Sequence, residues 1–297
     1  MQYFLSICMI GLIAGIIYAL MAMGLTLIFS ILHVVNFAHG EFYMLGGYAA
    51  IVIVSRLAGL QPLLAVPLAG VLIGGLGLVF ERAFLRPMHE GKIERPGEYA
   101  VLITFGLSFF LINMALAVFG PLPHRPPDFF EGTVNLGLMR VSTDRLTAGL
   151  FALLLLAALL LVIHRTWLGK ALRAVSQDRE AAAVVGINPL VMNSIAFGLG
   201  AGLAAVSGAL LASTLMVAPD VGVTPSTRSY VIVVLGGMGS VPGSILGGLL
   251  IGVVESLAVG FFPDPSRGMA YKSVFGLIIF VLVLLFRPRG LFGRKEA

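Results

Sequence analysis

The sequence predicts an all-α polytopic membrane protein with about eight transmembrane segments, and three observations carry that expectation. Of 297 residues, 59% are hydrophobic and only 11% charged, whereas about a quarter of the residues in a soluble domain are charged. Mean hydropathy is +1.03. Apolar runs long enough to cross a hydrocarbon core of roughly 30 Å recur from end to end. Lys and Arg fall mainly in the short intervals between those runs, where they set orientation in a bilayer. The net charge of +5 therefore does not argue for nucleic acid. The whole chain, 1–297, reads as one transmembrane domain.

Residues Gln2 to Phe29 form the first span. No basic segment precedes it and no small-residue cleavage site follows, so it is expected to be retained. Gly11, Gly15 and Ala19 recur every four residues and offer a small-residue face to another helix. Cys8 is the only cysteine, so there is no intrachain disulfide or Cys-based metal site.

The next interval places Asn36, His39 and Glu41 within six residues between two apolar stretches, with Gly40 able to break a helix. Polar groups are costly in hydrocarbon. Residues 31–42 are therefore either a short turn at the membrane surface or an unwound segment inside the protein. Ile51 to Leu60 completes the second span and Pro62 to Phe84 makes the third. Arg86, His89, Lys92 and Arg95 assign the following loop to the cytoplasm. Tyr99 to Phe119 is the fourth span, in which Thr104, Ser108 and Asn113 can bond across helices or line a path. Gly120 to Arg145 is rich in Pro and Gly and reads as a rigid outer connection.

Leu146 to Ile163, the fifth span, leads into residues 165–189. This loop is short and basic, with Arg165, Lys170, Arg173 and Arg179, and belongs in the cytoplasm. Its alanines favour helix, and Gly186 and Pro189 stop it. Leu190 to Met216 is the sixth span. The apolar stretch from Ser229 to Phe262 is broken at Gly236, Gly237, Gly239, Ser240 and Pro242, because proline lacks a donor and glycine weakens a helix. The arm from Tyr230 to Leu235 is too short to cross, so residues 229–243 are expected to be discontinuous or re-entrant. Tyr271 to Phe286 is the last span, with Arg287, Arg289, Arg294 and Lys295 holding the C-terminus in the cytoplasm.

Residues 74–81 and 247–255 match with one insertion, in spans that run in opposite directions, as an inverted repeat requires. Enzyme motifs are missing. There is no GxxxxGK[ST] phosphate loop, no HExxH and no GxSxG. His33, His39, His89, His124 and His164 are too scattered for a metal site, and no cofactor is expected in this chain.

Glu180-Ala181-Ala182, followed by Gly186, resembles the EAA loop of ATP-binding-cassette importer permeases, which docks into the ATPase subunit. The resemblance implies a coupling role for Gly169, Arg173, Glu180, Ala181, Ala182 and Gly186. Asn-Phe-Ala-His-Gly-Glu at 36–41, Met-Leu-Gly-Gly-Tyr at 44–48 and Leu-Gly-Gly-Met-Gly-Ser-Val-Pro-Gly at 235–243 resemble LivH-type permeases of branched-chain amino-acid importers. That likeness runs from Tyr18-Ala19-Leu20 to Arg287-Pro288-Arg289-Gly290-Leu291-Phe292-Gly293. It implies a subunit of a bacterial or archaeal cytoplasmic-membrane importer of leucine, isoleucine or valine. The implied partners are a LivM-type permease or a second copy, two cytoplasmic ATPases holding ATP and Mg, and a periplasmic or lipid-anchored substrate-binding protein. Related permeases carry urea, amides or other amino acids. A transporter driven by Na⁺ or H⁺ is the competing class, motivated by Asn36, Glu41 and the broken helix.

Overall fold

The computed structural model describes residues 2–57, 59–135 and 140–293. Arg294 and Lys295 lie outside them. Among the described residues, six helices are long and apolar enough to cross a membrane, and Lys272–Phe286 is a shorter apolar helix. The protein is a polytopic helical membrane protein.

Helix α1 (Gln2–Leu32) ends at His33, whose φ of 56° turns the chain out of the helix. Residues 33–38 are not regular secondary structure. They lead into α2 (His39–Arg56). Helix α3 (Pro62–Phe80) starts with proline, whose missing donor costs nothing at a first turn. It continues through a π turn at Glu81–Leu85 into α4 (Arg86–His89). A π turn relieves the clash that Pro87 imposes on the preceding carbonyls. Helix α5 (Pro96–Phe119) follows.

The connection that follows α5 carries an antiparallel pair, β1 (Thr133–Asn135) and β2 (Arg140–Ser142). Asp144, 5% exposed, fixes this connection by accepting hydrogen bonds from the Phe129 N–H and the Ser213 hydroxyl, both at 2.7 Å. His124 and Val217 exchange backbone bonds of 2.8 and 2.7 Å. The connection is thus pinned at both ends.

Helix α6 (Thr143–Arg165) descends to two short helices, α7 (Trp167–Gln177) and α8 (Arg179–Val184). The sequence predicts a single small helix here. Asp178 divides it, capping α8 through the N–H groups of Glu180 and Ala181 at 2.9 Å each. Helix α9 (Pro189–Leu215) rises again. After residues 216–222 come α10 (Val223–Gly236), α11 (Val241–Gly260), α12 (Pro265–Ala270) and α13 (Lys272–Phe286).

Helices α1 and α9 form the centre, and their packing depends on small residues. Lipid offers no hydrophobic drive between helices, so close backbone approach supplies the attraction. A Cβ at Gly24 would stand 2.6 Å from the Gly200 carbonyl oxygen, and one at Gly200 would stand 2.6 Å from that of Gly24. The face of α1 at Gly11, Gly15 and Ala19 packs on Gly248 and Gly252 of α11. Gly70, Gly74 and Gly77 of α3 pack on α9 at Gly198, Ala201 and Gly202. The outward faces of α3, α5 and α13 expose Val71, Leu102, Phe110 and Leu285, the composition expected of a lipid-facing surface.

The arm predicted to begin at Tyr230 begins at Val223 and has 14 residues. Thr224, Ser226, Thr227 and Arg228 lower its hydropathy without ending the helix. The break between α10 and α11 is a turn at residues 237–240, and a second irregular stretch lies at 216–222. Thr104 and Asn113 bond carbonyls of their own helix, at 2.8 Å each, rather than reaching across.

Candidate functional site

Helices α2 and α10 both begin inside the helix bundle, after irregular segments, and their first turns meet. A Cβ on Gly40 would collide with the Gly222 carbonyl oxygen, and one on Gly222 with that of Gly40. Only glycine permits this approach.

The residues singled out at 36–41 surround that junction. Asn36 and His39 are fully buried and Glu41 is 4% exposed. Asn36 Oδ1 accepts from the Ala38 N–H at 3.1 Å, an Asx turn that holds the chain as it enters α2. Its carbonyl accepts from the Tyr230 hydroxyl of α10 at 2.7 Å. His39 Nε2 lies 3.1 Å from the Met21 carbonyl of α1, so Nε2 carries the hydrogen. The Ser108 side chain of α5 lies beside the Glu41 carboxylate. Helices α1, α2 and α10 are tied together at the unwound segment. Asn36 Nδ2, His39 Nδ1 and Glu41 Oε2 are buried with no hydrogen-bond partner. Phe37 lies against Phe105 and Tyr230, with ring centroids 6.2 and 6.0 Å apart, and forms an aromatic rim beside these polar groups.

The second predicted cluster lies at the α10–α11 turn and does not join the first. Gly237 and Gly239 have φ of 100° and 80°, which side chains with a Cβ rarely adopt. Gly236 packs against the backbone of Gly243. The Ser240 hydroxyl caps α11 through the Gly243 N–H at 3.2 Å, and Pro242 occupies its first turn. The C-terminal segment closes over this turn. Leu291 N–H donates to the Leu235 carbonyl at 2.8 Å and Phe292 N–H to that of Gly236 at 3.0 Å, satisfying acceptors that the end of α10 leaves free.

The third cluster is α7 and α8. Gly169 allows α7 to close on the carbonyls of Val162 and Ile163. Arg173 donates to the Ile163 carbonyl, so these two residues fasten the segment to α6. Glu180 and Ala181 are exposed and Ala182 is buried. Gly186, with φ of 86°, ends the segment as its N–H donates to the Ala183 carbonyl. Val184 is 88% exposed and Val185 74%. Arg179 reaches His89 Nδ1 at 3.0 Å, so His89 Nδ1 is the acceptor.

Sequence reasoning missed a fourth group. Arg228 donates to Glu255 at 2.9 Å and to the Tyr18 hydroxyl at 3.1 Å. Lys272 stands 3.7 Å from the other oxygen of Glu255. The available signal was Glu255, a carboxylate inside an apolar run. Among the described residues, no cluster of His, Cys, Asp or Glu suits a metal ion.

The family model for the permease component of the branched-chain amino acid transport system matches residues 7–284. The chain is similar to the high-affinity branched-chain amino acid transport system permease protein BraD of Pseudomonas aeruginosa, 34% identical over 96% of this chain and 94% of the relative. It is 31% identical to the corresponding permease protein LivH of Escherichia coli, over 99% of this chain and 97% of the relative. LivM of Escherichia coli is more distant, 27% identical over 93% of this chain and 67% of the relative. No solved structure gives a significant match.

Proposed function

The chain belongs to the branched-chain amino acid permease family, and from that premise we propose that it forms the membrane pathway through which an ATP-driven importer carries leucine, isoleucine and valine into the cytoplasm. The carrying observation is likeness over nearly the whole length to BraD and LivH. It is a transport subunit, and ATP and Mg belong to two ATPase partners. A LivM-type subunit or a second copy completes the pathway, and a binding protein delivers the solute.

In this reading eight segments cross or enter the bilayer. The C-terminus and the segment 165–189 face the cytoplasm, and residues 33–38 and 216–222 are the discontinuous stretches. An inverted repeat relates α1–α2–α3 to α9–α10–α11. Reciprocal contacts support it: α1 packs on α11 as α3 packs on α9, and Gly24 meets Gly200 as Gly40 meets Gly222. Asn36, His39 and Glu41 brace the first discontinuity, a role supported by the bonds that this group makes to α1 and α10.

Glu180, Ala181, Ala182 and Gly186 form the coupling surface, with Gly169 and Arg173 setting its position. The exposed Val184 and Val185 give that surface the apolar centre a protein partner needs. The test is growth of a branched-chain auxotroph on limiting leucine, with this permease expressed together with its ATPases and binding protein. Growth that needs the ATPase phosphate loop supports the reading. Equal growth with the ATPases inactivated overturns it in favour of ion-coupled transport.

A further inference from the structure

Helix α8 has little apolar contact with the rest of the protein. Of its six residues only Ala182 is buried, and one methyl group is a weak anchor. Val184 and Val185 face outward, and Ile187 beyond them is only partly buried. Arg179 behaves differently from its exposed neighbours Asp178 and Glu180. Its Nη1 donates to His89 Nδ1 of α4 at 3.0 Å, across 90 positions of sequence, and its Nη2 is buried with no hydrogen-bond partner. Burial lowers the Arg179 pKa, and the charge of Glu81 opposes that shift. The guanidinium thus lies within electrostatic reach of the Glu81 carboxylate.

Glu81 needs such a cation. It is fully buried, at the first position of the π turn Glu81–Leu85. One carboxylate oxygen accepts from the Ser194 hydroxyl of α9, and the other has no hydrogen-bond partner. Arg86 and Arg82 also act on its charge, but both belong to the same continuous stretch of chain. Arg82 is exposed, and Arg86 is paired with Glu90 at 2.9 Å. Arg179 is the cation brought to Glu81 from another segment. Glu81 Oε1 and Arg179 Nη2 are complementary, an acceptor and a donor left over on opposite charges. Removing one such charge leaves the other buried and less compensated, which costs more than losing a surface pair. A π turn is a frequent feature of functional sites, and here it joins this charge to α3. We propose that Arg179 is the positioning residue of the coupling step: it joins α8 to His89 and Glu81, so that a displacement of α8 by the ATPase passes to α3 through the π turn and to α9 through Ser194. The proposal rests on the reading of α8 as part of the coupling surface, and it separates transmission of movement from docking. Glu180, Val184 and Val185 dock; Arg179 transmits.

The test uses the assembled transporter in proteoliposomes, with its binding protein, and measures leucine taken up per ATP hydrolysed. ATPase co-purification and the melting temperature of the permease are followed alongside. Arg179→Ala should retain its ATPase and continue to hydrolyse ATP while uptake per ATP falls about tenfold or more, the scale of losing a hydrogen bond to a charged group. Arg179→Lys, which keeps the charge without the planar fork, should recover part of that ratio. His89→Ala leaves both charges in place and should also lower it. The Arg179→Ala variant leaves Glu81 buried without this cation, so a lower melting temperature is expected. Arg179→Ala combined with Glu81→Gln removes both charges and should regain stability without regaining uptake per ATP. Recovery of both together would make the pair a structural salt bridge and overturn the proposal. An unchanged ratio in Arg179→Ala or in His89→Ala overturns it as well. So does loss of ATPase co-purification in Arg179→Ala, which would place Arg179 in the docking surface. Undiminished ATPase recovery in Val184→Asp and Val185→Asp is a separate result, and it refutes the coupling reading of α8 itself.

Discussion

Gly40 and Gly222 touch backbone to backbone, each filling the only space where the other's Cβ could stand. Helices α2 and α10 therefore cannot close this junction around any larger residue. Gly40→Ala or Gly222→Ala should cost about 1–3 kcal/mol through overpacking, read as a lower melting temperature in detergent and reduced transport. Gly106→Ala, where nothing lies within 4 Å, should leave both unchanged or slightly improved. Equal tolerance at all three positions would show that the junction is loose.

A second expectation concerns Glu41, buried beside Ser108 of α5. A brace works through hydrogen bonds, which Gln can also make. Glu41→Gln should retain much of the leucine uptake and Glu41→Ala should lose it. Failure of both would show that the charge is required. Wild-type uptake by the Ala variant, at normal expression and stability, would remove any role for the segment.

The turn between α10 and α11 gives a third. Gly237 and Gly239 adopt positive φ, a conformation costing a residue with a Cβ about 1–2 kcal/mol, and Gly237 also packs on Gly293. Gly237→Val and Gly239→Val should therefore reduce the yield of folded permease, measured by gel filtration. Gly260 is not the neutral comparison its place near a helix end suggests, since a Cβ there would meet Ile7. Gly75, with open space around it, is the proper control. Equal yields for all three Val variants would contradict the assignment.

The segment that carries α7 and α8 yields a fourth. Glu180→Lys, Val184→Asp and Val185→Asp change an exposed surface, so the permease should still reach the membrane while co-purification of its ATPase falls. Charge placed at the centre of an apolar contact typically costs several-fold in affinity or more. Undiminished ATPase recovery in all three would relocate the docking surface.

Much of this architecture is legible in the sequence because apolar runs and their breaks are local properties. The turn at 237–240 announces itself through three glycines and Pro242. The stretch 216–222 shows in part: Pro219 and Asp220 mark a short loop, while Met216, Val217 and Ala218 prolong the apolar run of α9 and hide where it starts. The start of α10 is hidden for the opposite reason: Thr224, Ser226, Thr227 and Arg228 look like a surface loop, yet they form the first turns of a packed helix. Asn36, His39 and Glu41 stand out as polar residues in an apolar region, but their ties to Met21, Ser108 and Tyr230 depend on tertiary structure. The Arg228–Glu255 pair is separated by 27 positions, and no periodicity links such partners. Only the rule that a charge inside an apolar span needs a partner points to it.

Reconstitution tests the central claim most directly. The purified permease, with its partner permease or a second copy and both ATPases, is placed in proteoliposomes, and the binding protein loaded with tritiated leucine is added on the side away from the ATPases. Accumulation of leucine inside should require ATP, Mg and the binding protein, and should be unaffected by collapsing Na⁺ and H⁺ gradients. Uptake by the permease alone, driven by an ion gradient and indifferent to ATP, would contradict the account.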